Sequence, residues 1–180
     1  MVDLSLGDMK IILDKLDKSS CCATCAAKSV GCVLFNRIGG NYIIEGGYNK
    51  SVSPIQCRDR FRKIEKNWFY LNKNNEWKHD ETGIKHKIWS IQHEVHAEIM
   101  ALTNYHTDNA DNLIAVVTWS PCLDCCKSLI NAGVKDIFYM YEFDNFEEID
   151  ELCKECKVNL IKFTRDADKM NLDLSKGIYE

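Results

Sequence analysis

Two short segments carry side chains able to do chemistry together: His96-Ala97-Glu98, and further along Ser120-Pro121-Cys122-Leu123-Asp124-Cys125. One histidine and a Cys-x-x-Cys pair supply three nitrogen and sulfur ligands, one short of the four that a structural zinc takes. A three-ligand zinc keeps a position open for water and lowers the pKa of that water to about 7. Glu98, two residues past the histidine, is placed to move protons for such a water. The chemistry implied is metal-assisted hydrolysis. Taken singly, a Cys-x-x-Cys pair is a metal or redox motif of undefined role and a His-x-Glu is noise, so the inference rests on their joint occurrence.

The spacing dictates where each motif must sit. Positions two apart diverge by about 200° around a helix, so His96 and Glu98 cannot share a face in mid-helix. They can converge at a helix N-terminus, where the chain is still turning in. Cys122 and Cys125, three apart, share a face in a first turn, and Pro121 suits a helix start. Two helix N-termini are therefore expected to meet, their positive dipole ends favouring thiolate over thiol.

Around these motifs the periodicities predict an amphipathic helix over 5–18, then strands over Val30–Phe35 and Asn41–Tyr48 joined by an Arg37-Ile38-Gly39-Gly40 hairpin. An insertion over about 50–92 follows, rich in Lys, Asn, Trp and Asp and with little periodicity, and reads as a long functional or mobile loop. A helix is expected from about Glu94 to Tyr105, a buried strand over Leu113–Trp119, and a helix from Cys122 to a glycine cap at Ala132-Gly133. Asp136–Tyr141 reads as a strand, Asn145–Cys156 as a helix and Asn159–Phe163 as a last strand, with a polar tail over about 164–180. The alternation predicts an α/β chain, a three-layer α/β/α sandwich around a five-stranded mixed sheet, forming a single domain over 1–180. There is no internal repeat and no low-complexity linker.

The 180 residues are 46% apolar and 28% charged, an ordinary globular balance. With 23 Lys and Arg against 27 Asp and Glu the net charge is -4, which disfavours tracking a long phosphate backbone but leaves small anionic substrates open. The start, Met1-Val2-Asp3-Leu4, lacks the basic and apolar regions of a signal peptide, and no apolar run is long enough to span a bilayer. A cytoplasmic protein without a membrane partner is expected. Its ten cysteines then read as metal ligands and buried thiols rather than a disulfide framework.

His-Ala-Glu with Pro-Cys-x-x-Cys resembles the signature of the zinc-dependent nucleoside and nucleotide deaminases, and the order of elements is similar over about 5–163. The resemblance implies zinc on His96, Cys122 and Cys125, with Glu98 serving the water, the ring nitrogen and the departing ammonia. Gly47-Tyr48-Asn49 looks like the Gly-Tyr-Asn of the deoxycytidylate (dCMP) deaminase family, which implies hydrolysis of dCMP to dUMP and ammonia. The Asn49 amide offers a sugar hydroxyl both a donor and an acceptor. In the T-even phage type of that family a second, structural zinc is held at places corresponding to Cys25, Cys57, His86 and Glu94. The residues alone leave alternatives: Cys22 with Cys25 as the pair, His93 for His86, and Glu94 as a hydrogen-bond partner of His96 instead of a ligand.

For the substrate, the candidates are Asn49, Ala97, Ser120, Phe143 and Lys28. Phe143 stands where the family places an aromatic near the base, although a core position suits it as well. Arg58, Arg60, Arg62 and Lys63 form the densest basic cluster, read either as phosphate donors or as a solvated face. Cys153-Lys154-Glu155-Cys156 reads as core and surface thiols, and Cys32 and Cys126 as buried small hydrophobes. Homo-oligomers, hexamers among them, are implied by the resemblance.

The chain departs from the family in three places. Lys50-Ser51-Val52-Ser53-Pro54 replaces the Gly-Ser-Pro that helps relatives bind regulatory dCTP and dTTP, Met100-Ala101 stands where an Asn is usual, and Leu123 replaces a Pro. Two rival readings remain. Trp119-Ser120-Pro121-Cys122 resembles polynucleotide cytidine deaminases of the APOBEC type, which would use Trp68, Phe69, Tyr70, Trp77 and Trp89 as stacking platforms. A noncatalytic zinc module on the same fold is the other, against which Glu98 speaks.

Overall fold

In a computed structural model, the structure describes residues 3–38, 40–106, 112–143, 146–167, 169–175 and 177–179. The elements are α1 (Leu6–Cys21), β1 (Gly31–Ile38), β2 (Asn41–Tyr48), β3 (Lys50–Ser51), α2 (Cys57–Arg60), β4 (Phe61–Ile64), β5 (Asn67–Leu71), β6 (Trp77–Asp80) and α3 (Ile84–His93). There follow β7 (Glu94–Val95), α4 (Ala97–Asn104), β8 (Ile114–Trp119), α5 (Leu123–Asn131), β9 (Asp136–Tyr141), α6 (Phe146–Glu155), β10 (Asn159–Asp166) and β11 (Lys169–Asp173).

The main sheet has the order β11-β10-β9-β8-β1-β2. β8, β9 and β10 run parallel, while β1 pairs antiparallel with both β2 and β8. Alternation along each strand feeds two cores. Val33, Phe35, Ile114 and Val116 pack on Ile12, Leu13 and Leu16 of α1, whereas Cys32, Leu34, Ala115 and Val117 pack against α4, α5 and α6. Three layers result, as expected.

Among the described residues, six strands and not five make the sheet. The polar tail contributes β11, whose Met170 is buried against the α1-side core and whose Leu172 packs beside it. One apolar residue in two was too sparse a signal in so charged a stretch. The insertion is not a structureless loop either. It holds a three-stranded antiparallel meander, β4-β5-β6, the helix α3, and the pairing of β3 with β7. Its core is small: Cys25, Cys57 and Phe61, with Trp68, Tyr70 and Trp89 around them. The helix expected from Glu94 begins only at Ala97, because Glu94 and Val95 are extended and paired with β3. Two expected features touch residues outside those described, Gly39 in the first hairpin and Asn145 at the start of the helix that runs from Phe146 as α6. Gly133 follows α5 with φ +91, the left-handed conformation expected of a glycine cap. Among the described residues, no helix is long and apolar enough to cross a membrane.

Two local devices set the frame. Ser5 and Asp8 form a capping box on α1, and Asp8 also binds Arg37 of β1, tying the helix to the sheet. Gly47 of β2 lies so close to α4 that a Cβ there would stand 2.1 Å from the Ala97 carbonyl oxygen and 2.3 Å from the Ala101 nitrogen. The backbone of α4 thus rests directly on the strand, which puts its N-terminus beside the end of β8.

Gly47→Ala is expected to lower stability by about 2–3 kcal/mol and, by shifting α4, to reduce activity by about 100-fold. An unchanged melting temperature and turnover would show that the contact is dispensable. For Asp8, burial alone would raise the carboxyl pKa. The Ser5 hydroxyl, Arg37 and the Ser5 amide outweigh it and hold the group below its ordinary 3.8. The contribution of Asp8 is complete above about pH 4 and is lost as pH falls through the depressed folded-state value. Asp8→Asn should cost about 1 kcal/mol at neutral pH and flatten the acid side of the stability profile, read by denaturant melts from pH 2 to 7.

Candidate active site and a second candidate metal centre

Among the described residues, two groups bring three or more His, Cys, Asp or Glu ligand atoms within 4.8 Å of one another. The first is His96, Cys122 and Cys125. His96 is the N-cap of α4 and Cys122 the N-cap of α5, both extended (ψ 154 and 166), and Cys125 lies one turn into α5. The helix-start geometry demanded by the spacing is therefore realised with two of the three groups at the cap itself. Nδ1 of His96 lies 3.4 Å from Cys122 Sγ and 3.3 Å from Cys125 Sγ.

Ionisation within this group is shared. Hydrogen bonds from Cys125 and His96 overcome burial and bring the Cys122 thiol down to about 4. The Cys125 thiol is pushed up, first by its bond to Cys122 and then by burial. The Cys122 thiolate in turn raises His96 to about 9, against the opposing effect of burial. A thiolate flanked by an imidazolium and a second thiol is a set whose protons a divalent cation displaces. Glu98, in the first turn of α4, is 3% exposed, and burial raises its carboxyl pKa.

The second group joins Cys25 from the segment before β1, Cys57 at the start of α2, His86 of α3 and Glu94 of β7. Cys25 Sγ lies 3.5 Å from His86 Nε2. The main-chain N–H groups of Ala26 and Ala27 donate to Cys57 Sγ (3.2 Å) and Cys25 Sγ (3.4 Å). The hydrogen bond with Cys57, then His86, draws the Cys25 thiol down to about 3, while the same bond and burial drive Cys57 up. Burial raises the Glu94 carboxyl; Ser90 donates to its Oε2, whereas its buried Oε1 has no hydrogen-bond partner. A buried carboxylate oxygen left over beside two thiols and an imidazole suits a four-ligand cation site. Of the alternatives, Cys22 is exposed, and His93 stacks on Trp89 at 4.7 Å with Nδ1 2.9 Å from the Trp89 carbonyl oxygen. Neither joins the group.

A cleft of about 390 Å³ lies between the two groups, lined by His96, Ala97, Glu98 and Cys122 on one side and Cys25, His86 and Glu94 on the other. Asn49, Ser120, Lys28 and Phe143 also line it, so with Ala97 the five individual residues proposed from sequence for substrate contact reach the same cavity, whereas the basic cluster proposed for a phosphate does not. Phe143 is 37% exposed and is not a core residue. Ser120 accepts a hydrogen bond from the Phe143 N–H (2.8 Å) and donates its own N–H to the Tyr141 carbonyl (2.7 Å). The cluster from Arg58 to Lys63 does not line the cleft. Arg60 instead faces a separate cavity of about 340 Å³ with Lys85 and Trp89, and Arg62 lies over Trp77. Trp119 lines the cleft but was singled out from sequence only through the Trp-Ser-Pro-Cys string. Its place at the carboxyl end of a buried parallel strand was the signal available. Lys87, Ser90 and Ile91 of α3 complete that wall, hidden by the lack of a readable helix there. The Cys153-x-x-Cys156 pair divides as expected, Cys153 buried 3.5 Å from Cys126 and Cys156 exposed.

A three-layer α/β fold that presents His, Cys and Cys beside a buried glutamate at two converging helix N-termini defines the class of zinc-binding hydrolytic deaminases. The model of the cytidine and deoxycytidylate deaminase zinc-binding region matches residues 8–141, and the chain belongs to that family. It is 26% identical over 158 residues to ComE operon protein 2 of Bacillus subtilis (strain 168), covering 84% of this chain and 68% of that one. It is 33% identical over 90 residues to the deoxycytidylate deaminase of Enterobacteria phage T4, covering 48% of this chain and 47% of the phage protein. In fold it is similar to the dCMP deaminase of cyanophage S-TIM5 solved with dCMP and dUMP. The TM-score is 0.59 at 21% identity, over 89% of this chain and 99% of that one.

Proposed function

We propose that the protein hydrolyses dCMP to dUMP and ammonia with one zinc at His96, Cys122 and Cys125, and that a second zinc at Cys25, Cys57, His86 and Glu94 braces the cleft. The observation that carries the reading is a buried Glu98 beside a three-ligand group that opens into a nucleotide-sized cleft. The family and the likeness to dCMP deaminases support the substrate.

Zinc bound at the three-ligand group supplies a water acidified to about pKa 7. Glu98 accepts the proton of the attacking water and delivers it to N3 of the cytosine ring. It then takes the hydroxyl proton at C4 and passes it to the amino nitrogen. The C4–N bond breaks, ammonia leaves, and a carbonyl remains at C4. Walls from the segment before β1, from α3 and α4, and from the residues at the end of β8 and just past β9 would surround the reacting ring. Because Arg58, Arg60, Arg62 and Lys63 lie outside the cleft, a track for a long polynucleotide finds no support there.

Glu98→Gln is expected to lower kcat for dCMP by about 10²–10⁴-fold with the zinc content unchanged; full activity would refute its role. Zinc analysis should give two ions per chain. His86→Ala should leave one and lower the melting temperature, whereas one ion in the unaltered protein would remove the second site and leave the deaminase reading standing. Turnover of a cytosine-bearing oligonucleotide but not of dCMP would overturn the substrate assignment.

A further inference from the structure

Behind the first metal-ligating group lies a pair of thiols that the deamination chemistry does not use. Cys126 of α5 and Cys153 of α6 bring their sulfur atoms to 3.5 Å, and both are 0% exposed. They share a core layer with Leu129 and Ile149, so the two helices meet through this contact. The Cys126 N–H donates to the Cys122 carbonyl (2.8 Å), and Cys125 directly precedes Cys126 in the chain. Two of the three ligands of the first group are therefore tied to the buried thiol through the main chain of one helical turn.

A buried thiol is inert towards reagents in solution, whereas an exposed one is not. Cys156 is exposed and follows α6 directly. Its N–H still bonds the Leu152 carbonyl (3.0 Å), so the helical turn runs through it before Lys157, at φ +54, ends the helix. Residues three apart in such a turn are neighbours, and their Cα atoms lie within the spacing that a disulfide bridges. Cys156, Cys153 and Cys126 thus form a row that leads from the surface to the back of α5.

We propose that this row is a redox site, at which a small-molecule disulfide oxidises Cys156 and the oxidation passes inward to a Cys126–Cys153 bond. In the first step the Cys156 sulfur attacks the reagent RSSR, giving a mixed disulfide and one RSH. The Cys153 sulfur then attacks that of Cys156, a Cys153–Cys156 bond forms, and the second RSH leaves. Cys126 next attacks Cys153 and closes the buried bond, while its proton ends on Cys156, which is a thiol again. Two protein thiols are oxidised and one RSSR is reduced to two RSH. Sulfurs in non-bonded contact must come closer to bond, so closure draws the start of α5 towards α6 and disturbs the seat of Cys122 and Cys125. That consequence, unlike the relay, rests on the reading of the first group as a zinc site.

The test treats the zinc-loaded full chain with oxidised glutathione under native conditions, quenches with acid, alkylates the free thiols and maps disulfides by mass spectrometry. A chromogenic chelator follows zinc release, and dCMP turnover is measured in parallel. The expected product carries a Cys126–Cys153 bond with Cys156 free. Its kcat should be lower by about 10- to 100-fold and its zinc release faster by about tenfold or more, both reversed by dithiothreitol. Cys156→Ser should slow the bond about tenfold or more and leave the reduced protein as active as before. Cys153→Ala should stop at glutathione on Cys156 and keep its zinc.

A Cys126–Cys153 bond that forms as fast in Cys156→Ser would overturn the relay. So would glutathione on Cys156 with no bond between protein thiols, or a bond confined to Cys122 and Cys125. A buried bond that leaves zinc release and kcat unchanged would overturn the coupling to the first group. If the unaltered protein holds no zinc and turns over no dCMP, the deaminase reading fails, and disulfide mapping decides the relay by itself.

Discussion

The position of α4, and with it of His96 and Glu98, depends on one steric fact, the absence of a side chain at Gly47. A Cβ there would stand 2.1 Å from a main-chain oxygen of α4, so the helix lies on β2 at a distance that only glycine permits. Because β2, β1 and β8 are consecutive in the sheet, that contact sets the height of the α4 N-terminus relative to the end of β8. His96 caps the one helix and Cys122 the other, and their ligand atoms come within 4.8 Å. Glu98 is buried by the same packing, which is what raises its pKa.

Most of the frame was legible because its signals are local and strong. Strand alternation in β1 and β8, the glycine after α5 and the His-x-Glu and Cys-x-x-Cys spacings each point to one geometry, and the structure realises those elements with ends shifted by a few residues. The convergence of the first group could be argued from helix geometry alone. The second could not: Cys25, Cys57, His86 and Glu94 come from four different elements and only resemblance joined them. Spacing left Cys22 and His93 open as alternatives, and three-dimensional packing separates them.

The insertion was illegible for a physical reason. Its meander buries a single face over a few residues, β5 being half-buried along most of its length and β4 mostly exposed, so neither strand shows clean alternation. What stabilises it is a small cluster of Phe61, Cys57 and Cys25 under Trp68, Tyr70 and Trp89, with Trp68 stacked on His86 at 4.2 Å. Few apolar residues are fully buried there, and a unit of this size needs a staple. The same reasoning explains β11, which adds to an existing sheet edge and so needs little hydrophobic signal of its own.

The second group does more than hold the insertion together. His86 belongs to α3, and the same helix presents Lys87, Ser90 and Ile91 to the cleft, while Lys85, Trp89 and His93 face the neighbouring cavity. Glu94, from the same group, stands two residues before His96 in a two-residue strand clamped to β3. A cation shared by Cys25, Cys57, His86 and Glu94 would therefore fix one wall of the cleft and the approach to the first ligand in a single step. Cys25 and Lys28 share the short segment that Asn49 clasps through both its main chain and its amide, so that wall is also tied to the end of β2. Loss of such a cation would then perturb the cleft as well as stability, because Cys25, His86 and Glu94 themselves line the cleft and Cys57 does not. Cys57 is buried and reaches the cavity only through its contact with Cys25 and Ala26.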